Sequence, residues 1–442
     1  MSGIAYHETV RLGSRHRERR VPMTLAAPVR QRLWLMALVA VAALVAALTV
    51  PSSTGRTGSR ATVPGGRAAG AVSPEATRVP PDDSAPARDA ALRGLHVQGN
   101  QILDARGDPV RLRGFNSSGL EYACVEGWGL FDGPSTRRVP ASAVEAMATW
   151  TGANAVRVPL NEQCWLGLGV KRAYGGANYR RAVRAYVDLL TAQGFVVILD
   201  LHRSAPGKAP SLKQEQMPDR DHSVEFWRQV AVAYAGDAGT VAFDLFNEPW
   251  PFGEPDSTRA WECWRDGGCS LPAQNGEGTY VAAGMSELVA TIRAAGAPNL
   301  LLLGGIHWAE MLNRWLQYRP DDPMQNLAAS FHNYDYNRYC DSSACYDTVL
   351  AAVAKAVPLV ATEVGPDGVG PDCAAPAEGA PTGFSARILD WLDAHGAGYL
   401  AWSWNAWGDG CSLVTDYDGT PTPTWGTQVR DRLAAGTPSG TP

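Results

Sequence analysis

Several features that would point to common protein classes are missing from this sequence of 442 residues. Its eight Cys include no CxxC pair, so their spacing gives no support to a zinc site. No glycine-rich phosphate loop follows the first strand expected in the main domain. The main domain is also poor in basic residues. Residues 1–90 carry twelve Arg against six acidic residues, so the formal net charge of −5 for the whole chain leaves −11 on residues 91–442. An acidic domain argues against a nucleic-acid partner.

The N-terminal segment carries a targeting pattern. Residues 1–32 are basic, and residues 33–50 form an uncharged, apolar run of eighteen. This order predicts a cytoplasmic N-terminus and an exported remainder. We expect either a signal peptide or a retained transmembrane signal anchor, since spanning a bilayer takes about 20 apolar residues. Arg19-Arg20 would suit a twin-arginine signal, but the following Val-Pro-Met fits one poorly.

The composition then divides the chain. Residues 51–90 are rich in Pro, Gly, Ser, Ala and Arg, with almost no large apolar side chains. They cannot bury enough apolar surface to offset the entropy cost of ordering, so we predict a disordered linker. One large domain is expected over 91–435 and a disordered tail over 436–442. The domain would lie outside the cell, secreted or tethered to the membrane only through the N-terminal segment.

Apolar segments recur regularly through the main domain. A hairpin is expected first, Leu95–Val97 and Gln101–Leu103 around Gly99-Asn100. Continuous apolar runs are typical of buried parallel strands, and eight follow: Val110–Phe115, Ala153–Val158, Phe195–Leu201, Val241–Phe246, Leu300–Leu303, Leu327–Phe331, Pro358–Thr362 and Gly398–Trp402. Amphipathic, helical patterns lie between them, over Tyr179–Gln193, Ser223–Ala235, Gly278–Ala295 and Phe384–His395. This α/β pattern predicts a (β/α)8 TIM barrel with a hairpin lead-in, and a doubly wound open sheet is the alternative.

Polar residues and tryptophans lie at the ends of these apolar runs or directly after them. In such barrels the chemistry lies at the carboxyl ends of the strands, and the candidates found there are Arg157, Asp200, His202, Asn247, Glu248, His332, Tyr334, Glu363, Trp402 and Trp404. Taken singly, each has an ordinary structural explanation, such as a buried histidine or a loop carboxylate. Taken together they suit glycoside hydrolysis, which needs one protonated carboxyl group and one ionised carboxylate.

With these segments the chain resembles glycoside hydrolase family 5, the cellulase family of retaining (β/α)8 barrels. The resemblance covers about residues 92–433 and is carried by FDLFNEPW (243–250), VATEVGP (360–366), ANAVRVPL (153–160), VILDLH (197–202), ASFHNYD (329–335), LAWSWN (400–405) and the opening VQGNQILDARGDPVRLRGFN (97–116). Two positions depart from the family pattern. Arg203 stands where many relatives have an aromatic residue, and Thr362 stands where Gly is common.

The resemblance implies roles for the carboxyl groups and their neighbours. Glu248 would be the acid/base, and Glu363 would form the covalent glycosyl intermediate. Asn247 would hydrogen-bond the sugar's 2-hydroxyl, while Arg157 and Tyr334 would keep Glu363 ionised and oriented.

The remaining roles concern the substrate. His202 and His332 would line the central subsite. Trp402 would form its floor, with Trp404 as second choice. No cofactor and no metal are implied, and we expect a monomer whose partner is a β-linked carbohydrate.

Cysteines assigned to loops of neighbouring strands suggest a pairing. We predict the disulfides Cys124–Cys164, Cys263–Cys269, Cys340–Cys345 and Cys373–Cys411, which would stiffen the rim of the site. Tryptophans that follow strands are candidate sugar platforms or core residues: Trp128, Trp165, Trp250, Trp261, Trp264, Trp308 and Trp407.

Three functional hypotheses remain at this point. The favoured one is a retaining endo-β-1,4-glucanase. A β-mannanase, or an exo-acting β-mannosidase or β-glucosidase, would use the same catalytic residues. From another class, a non-catalytic carbohydrate-binding protein of the cell surface is disfavoured because both glutamates are present.

Overall fold

The computed structural model describes residues 94–335, 339–366, 383–408 and 411–436. Their strands are β1 His96–Gln98, β2 Gln101–Leu103, β3 Arg113–Asn116, β4 Ala155–Asn161, β5 Val196–Arg203, β6 Val241–Asp244, β7 Gly267–Pro272, β8 Thr279–Ala283, β9 Leu301–Gly304, β10 Leu327–Asn333, β11 Leu359–Val364 and β12 Gly398–Ala401. Eight of them, β3–β6 and β9–β12, form a closed parallel barrel. All eight predicted strands are confirmed, with ends shifted by a few residues.

Helices surround the barrel. In the described part of the chain they are α1 Ala123–Glu126, α2 Ala141–Ala148, α3 Glu162–Leu166, α4 Ala177–Ala192, α5 Ser223–Tyr234, α6 Thr258–Asp266, α7 Met285–Ala294, α8 Trp315–Tyr318, α9 Ser343–Cys345, α10 Ala351–Ala356, α11 Phe384–Ala394 and α12 Trp425–Ala435. A 3₁₀ turn extends α5 over Ala235–Asp237, and another covers Pro251–Gly253; a π turn covers Tyr346–Leu350. The expected helices after the second, third and seventh barrel strands are confirmed. With the strands they form the predicted (β/α)8 architecture.

The interior of the barrel begins with an apolar layer. Ala155, Ile198, Ala242 and Leu400 belong to one buried cluster, which the hairpin β1–β2 joins through Leu95 and Ile102. The hairpin pairs antiparallel as predicted. Because side chains alternate along a strand, positions two residues further on also face inwards. Those positions carry the polar groups of the site.

One predicted helix is wrong in its first part. The pattern over Gly278–Ala295 contains the strand β8 followed by α7, and β8 pairs antiparallel with β7. Leu271 and Tyr280 are buried and paired across this hairpin, whereas Thr279 and Val281 are exposed. This alternation is that of a half-buried strand, and a helical period cannot produce it.

Three of the predicted disulfides are confirmed: Cys124–Cys164, Cys263–Cys269 and Cys340–Cys345. The fourth involves Cys373, which lies outside the described residues, as do residues 1–93 with the predicted signal or anchor at 33–50 and most of the predicted tail. Among the helices described, none is long and apolar enough to cross a membrane.

Candidate active site

A buried guanidinium organises the carboxyl ends of the strands. Arg157 on β4 lies two residues beyond Ala155 and therefore points into the barrel. It contacts Asp200 at 3.0 Å, Asp244 at 2.9 Å and Glu363 at 2.6 Å. One positive charge cannot balance three buried carboxylates. Burial accordingly raises the pKa of Asp200 to about 7 and that of Asp244 to about 8, despite the opposing charge of Arg157.

A β-bulge turns Glu363 towards Arg157. Strict alternation after Val360 would point Thr362 inwards and Glu363 outwards. The pairing of β10 with β11 instead slips after Phe331–Ala361, so that Glu363 stands beside His332. Asn116 secures this slip, because its amide donates to the Thr362 carbonyl at 3.0 Å while its oxygen accepts from Arg157 at 3.1 Å. Bulges commonly re-aim side chains next to active sites.

Glu363 has a donor on each carboxylate oxygen. Arg157 donates to Oε1 at 2.6 Å, and the Tyr334 hydroxyl donates to Oε2 at 2.6 Å. The residue is 4% exposed. These two donors fix the orientation of the Glu363 carboxyl group at the mouth of the barrel.

Glu248 has different surroundings. It lies beyond β6 with a φ of 47°, a left-handed conformation that few side chains adopt. His332 Nδ1 lies 3.0 Å from its Oε1, and burial lowers the pKa of that imidazole to about 3, so His332 is neutral at pH 7. Burial raises the pKa of Glu248 to about 7. Near neutral pH Glu248 can therefore both release and take up a proton.

The two carboxyl groups are close together. Glu248, His332 and Glu363 each offer one ligand-type atom, and these atoms lie within 4.8 Å of one another. Retaining glycosidases have carboxyl groups about 5–5.5 Å apart, whereas inverting ones leave about 6.5–9.5 Å for a water molecule. The separation fits a double displacement.

Gln214 clamps the segment that carries Glu248. Its Nε2 donates to the carbonyls of Asn247 at 2.8 Å and Glu248 at 2.9 Å, and its Oε1 accepts from Asn247 Nδ2 at 3.1 Å. Arg157 donates to Asn247 Oδ1 at 2.9 Å. These contacts fix the orientation of the Asn247 amide. One Nδ2 hydrogen remains for a ligand.

His202 and Trp402 form one wall of the site. Their rings lie nearly parallel, with centroids 5.8 Å apart and 21° between the planes. His202 Nδ1 is 2.7 Å from Asp200 Oδ2, which fixes the ring. Trp402 is half-buried, so part of its indole face is accessible. Such a face packs against the C–H groups of a pyranose ring.

Several tryptophans do not reach the site. Trp404 is 1% exposed and packs against Phe115 and Trp150, so the expectation that it contacts substrate is corrected. Trp165, Trp261 and Trp264 are also fully buried and belong to the core. Among the described residues, the half-buried or exposed indoles are those of Trp128, Trp250, Trp308, Trp402 and Trp407.

Three contributors were not singled out from the sequence. Asn116 and Asp244 each lie at the end of a barrel strand, two positions beyond another residue of that strand. The alternation of side chains along a strand, which placed Arg157 inside the barrel, could therefore have predicted both. Gln214 lies in an irregular loop after β5, and no periodic signal marks it. Only the contacts that Gln214 makes in the folded protein show its role.

A second group of side chains has metal-binding geometry. Glu162, Asp219 and His222 offer ligand atoms within 4.8 Å of one another. Their oxygens already accept protein hydrogens, however: Ala205 N donates to Glu162 at 2.9 Å and to Asp219 at 3.1 Å. We interpret this cluster as a brace for the loop that carries Gln214.

Comparison with known proteins identifies the family. The family model "Cellulase (glycosyl hydrolase family 5)" matches residues 103–408. The chain belongs to glycosyl hydrolase family 5. It is therefore a β-glycoside hydrolase of a retaining family, as its sequence motifs indicated.

Relatives act on two kinds of polysaccharide. A mannan endo-1,4-β-mannosidase of Salipaludibacillus agaradhaerens is 23% identical over 348 residues, 76% of this chain and 90% of its own length. An endoglucanase of Microbulbifer is 29% identical over 160 residues, which are 35% of this chain and 26% of that protein.

A solved structure confirms the fold. The β-glucanase of Saccharophagus degradans has a TM-score of 0.58 at 20% identity, covering 77% of this chain and 93% of that one.

Proposed function

We propose that this protein is a retaining, endo-acting hydrolase of a β-1,4-linked polysaccharide, with Glu363 as nucleophile and Glu248 as acid/base. The observation that carries this proposal is the contrast between a doubly hydrogen-bonded Glu363 and a nearby Glu248 whose pKa burial raises to about 7. The first group is held in a fixed orientation by its two donors. The second can release and take up a proton near neutral pH.

The first step forms a glycosyl ester. Glu363 attacks the anomeric carbon while Glu248 protonates the glycosidic oxygen, and the bond between that carbon and the leaving oxygen breaks. Arg157 and Tyr334 hold the attacking carboxylate in place. Asn247, whose amide Gln214 and Arg157 orient, donates its remaining hydrogen to the 2-hydroxyl.

The second step releases the sugar. Glu248, now ionised, removes a proton from water, and the water oxygen attacks the anomeric carbon from the side that the first sugar left. The Glu363 ester bond breaks, and its carboxylate returns to Arg157 and Tyr334. His202, His332 and Trp402 line the sugar ring throughout. Two inversions give net retention.

The first candidate substrate is a β-1,4-mannan. Relatives that align with more than three quarters of this chain are named mannan endo-1,4-β-mannosidases, whereas the endoglucanase match covers 35% of it. The β-1,4-glucan predicted first from the motifs is the second candidate, supported by that shorter match to an endoglucanase. Both backbones present a 2-hydroxyl beside the scissile bond, and they differ in its orientation.

We further propose that the domain works outside the cytoplasm. Three disulfides brace its loops, and disulfides persist in oxidising compartments. The apolar run over residues 33–50 would export or tether it.

Activity on defined oligosaccharides tests the proposal. The purified full chain is incubated with mannohexaose and, separately, with cellohexaose, and the first product anomers are followed by proton NMR. We expect internal cleavage of mannohexaose with β products appearing before mutarotation. The Glu363→Gln variant is the control and should be inactive on both. Initial α products would contradict the mechanism, and cleavage of cellohexaose alone would replace mannan by glucan.

A further inference from the structure

The loop after β9 brings an unusual backbone next to Glu248. His307, Trp308 and Ala309 have successive φ values of 56°, 56° and 62°. Such a run in non-glycine residues is strained and persists only when surrounding contacts enforce it. Two contacts do so here: Trp308 N donates to the Pro249 carbonyl at 3.1 Å, and His332 N donates to the Ala309 carbonyl at 3.1 Å. The loop is thereby fixed between the two segments that present Glu248 and His332.

This loop buries two polar atoms that lack a partner in the described part of the chain. His307 is 8% exposed and Glu310 is 5% exposed, yet His307 Nδ1 and Glu310 Oε2 make no hydrogen bond there. The two atoms are 3.9 Å apart. A buried polar atom without a hydrogen-bond partner is energetically unfavourable, and native structures contain few of them. Both atoms are closed to solvent, so a hydroxyl group must displace a covering side chain to hydrogen-bond to both.

The surroundings of this pair suit a sugar. Trp308 stands edge-on to His307, with centroids 4.6 Å apart, and stacks on Trp250 at 5.2 Å and 13°. Its indole remains 37% exposed. The Tyr339 ring lies 3.9 Å from the His307 ring and is also exposed. An apolar platform beside buried hydrogen-bonding atoms is the usual composition of a small-molecule site.

The pair adjoins the acid/base and not the nucleophile. Glu310 interacts electrostatically with Glu248, and its loop contacts Pro249, the residue directly after Glu248. Glu363 is held instead by Arg157 and Tyr334. In a double displacement the acid/base faces the leaving oxygen. The sugar unit that departs therefore extends towards His307 and Glu310.

We propose that His307 and Glu310 bind the hydroxyl groups of the departing sugar unit, whose ring packs on Trp308. This inference rests on the proposed glycosidase function and names the leaving-group subsite of the same cleft. The ligand class is a neutral pyranose with free hydroxyl groups.

The charge states of the pair agree with a neutral ligand. Burial, with the nearby charge of Glu248, raises the pKa of Glu310 to about 8, so this carboxyl is mostly protonated at pH 7 and can donate its O–H. Burial lowers the pKa of His307, which leaves a neutral imidazole. A hydroxyl group can accept from Glu310 and exchange a hydrogen bond with His307 Nδ1.

The test compares two leaving groups on one glycone. For each variant, kcat/KM is measured for an oligosaccharide, whose leaving group is a sugar, and for the nitrophenyl glycoside of the same glycone chain. In Glu310→Leu the ratio of the first value to the second should fall about tenfold, the size of one lost hydrogen bond. In Glu310→Gln, which keeps donor and acceptor atoms, the ratio should stay within about threefold.

Further variants keep the test decisive. His307→Phe should lower the same ratio, and it serves if Glu310→Leu fails to fold by its melting curve. Glu262→Gln, an exposed acid in α6, is the matched control and should leave the ratio unchanged.

Two results would overturn the inference: an unchanged ratio in both Glu310→Leu and His307→Phe, or a lower ratio in Glu310→Leu that disappears when both substrates are assayed at a pH where Glu248 is fully protonated. The second result would mean that Glu310 acts only on the protonation of Glu248, which a sugar leaving group needs more than nitrophenolate does. Absence of turnover by the wild type on both substrates would contradict the proposed function itself, and this inference with it.

Discussion

Glu363 and Glu248 share one cleft but have opposite surroundings. Glu363 receives a hydrogen bond from a guanidinium on one oxygen and from a phenol on the other. Glu248 has a neutral imidazole at 3.0 Å, and burial raises its pKa to about 7. In the proposed mechanism, different neighbours give two identical side chains different roles. Two fixed donors orient the Glu363 carboxyl group, whereas burial favours the protonated form of Glu248.

The largest expected effect comes from removing the charge of Glu363. Glu363→Gln keeps the shape, but its amide replaces one accepting oxygen by a donor and it cannot form the glycosyl ester. We expect kcat/KM to fall at least about 10⁴-fold on every substrate, whatever its leaving group. Steady-state kinetics on an oligosaccharide and on a dinitrophenyl glycoside check this. A loss confined to the oligosaccharide would assign Glu363 the role of the acid.

Changing Glu248 should separate the two substrates. Glu248→Gln removes the proton donor, so oligosaccharide hydrolysis should fall about 10²- to 10⁴-fold. A dinitrophenolate leaves without protonation, so the glycosyl-enzyme still forms and accumulates because no base activates water. We therefore expect a burst of dinitrophenolate in stopped-flow measurements. An equal loss of the first step on both substrates would contradict the role of Glu248 as the proton donor.

Gln214 braces the segment that carries Glu248, the proposed acid/base. Gln214→Leu removes the two donations to the Asn247 and Glu248 carbonyls and the acceptor of the Asn247 amide. Kcat/KM should fall about tenfold to a hundredfold, equivalent to about 1–3 kcal/mol. Gln216→Leu is the matched control, since Gln216 lies in the same loop and contacts Phe252 N instead. A larger loss of activity in the control would reduce Gln214 to a general brace of the loop.

The pH profile should show the smallest of these effects. Glu248 must be protonated for the first step, so kcat/KM on an oligosaccharide should fall as pH rises through about 7, approaching tenfold per pH unit. With a dinitrophenyl glycoside this alkaline limb should disappear, because no acid is needed. Initial rates between pH 5 and 9 on both substrates decide it. If kcat/KM falls at the same alkaline pH with both leaving groups, a group other than Glu248 is titrating.

The sequence predicted much of this arrangement because strand periodicity is local. Continuous apolar runs marked eight strands, and the residues at or just beyond their ends included Glu248, Glu363, Arg157 and His332. The bulge that turns Glu363 inwards depends on its pairing with β10, so no local pattern shows it.

Loop residues were harder to place. Trp404 and Trp308 both follow strands, yet one packs against Phe115 while the other remains 37% exposed. Burial of a loop side chain depends on which other loops cover it, and those contacts join distant parts of the chain. Gln214 was missed for the same reason.

Azide rescue tests the assignment of the two glutamates most directly. Glu363→Ala and Glu248→Ala are each given a dinitrophenyl β-glycoside and sodium azide, and the configuration of the glycosyl azide is read by NMR. In Glu363→Ala azide replaces the nucleophile, so we predict an α-glycosyl azide from one displacement. In Glu248→Ala azide attacks the covalent intermediate, so we predict a β-glycosyl azide from two displacements. The reverse pairing of variants and anomers would contradict the account.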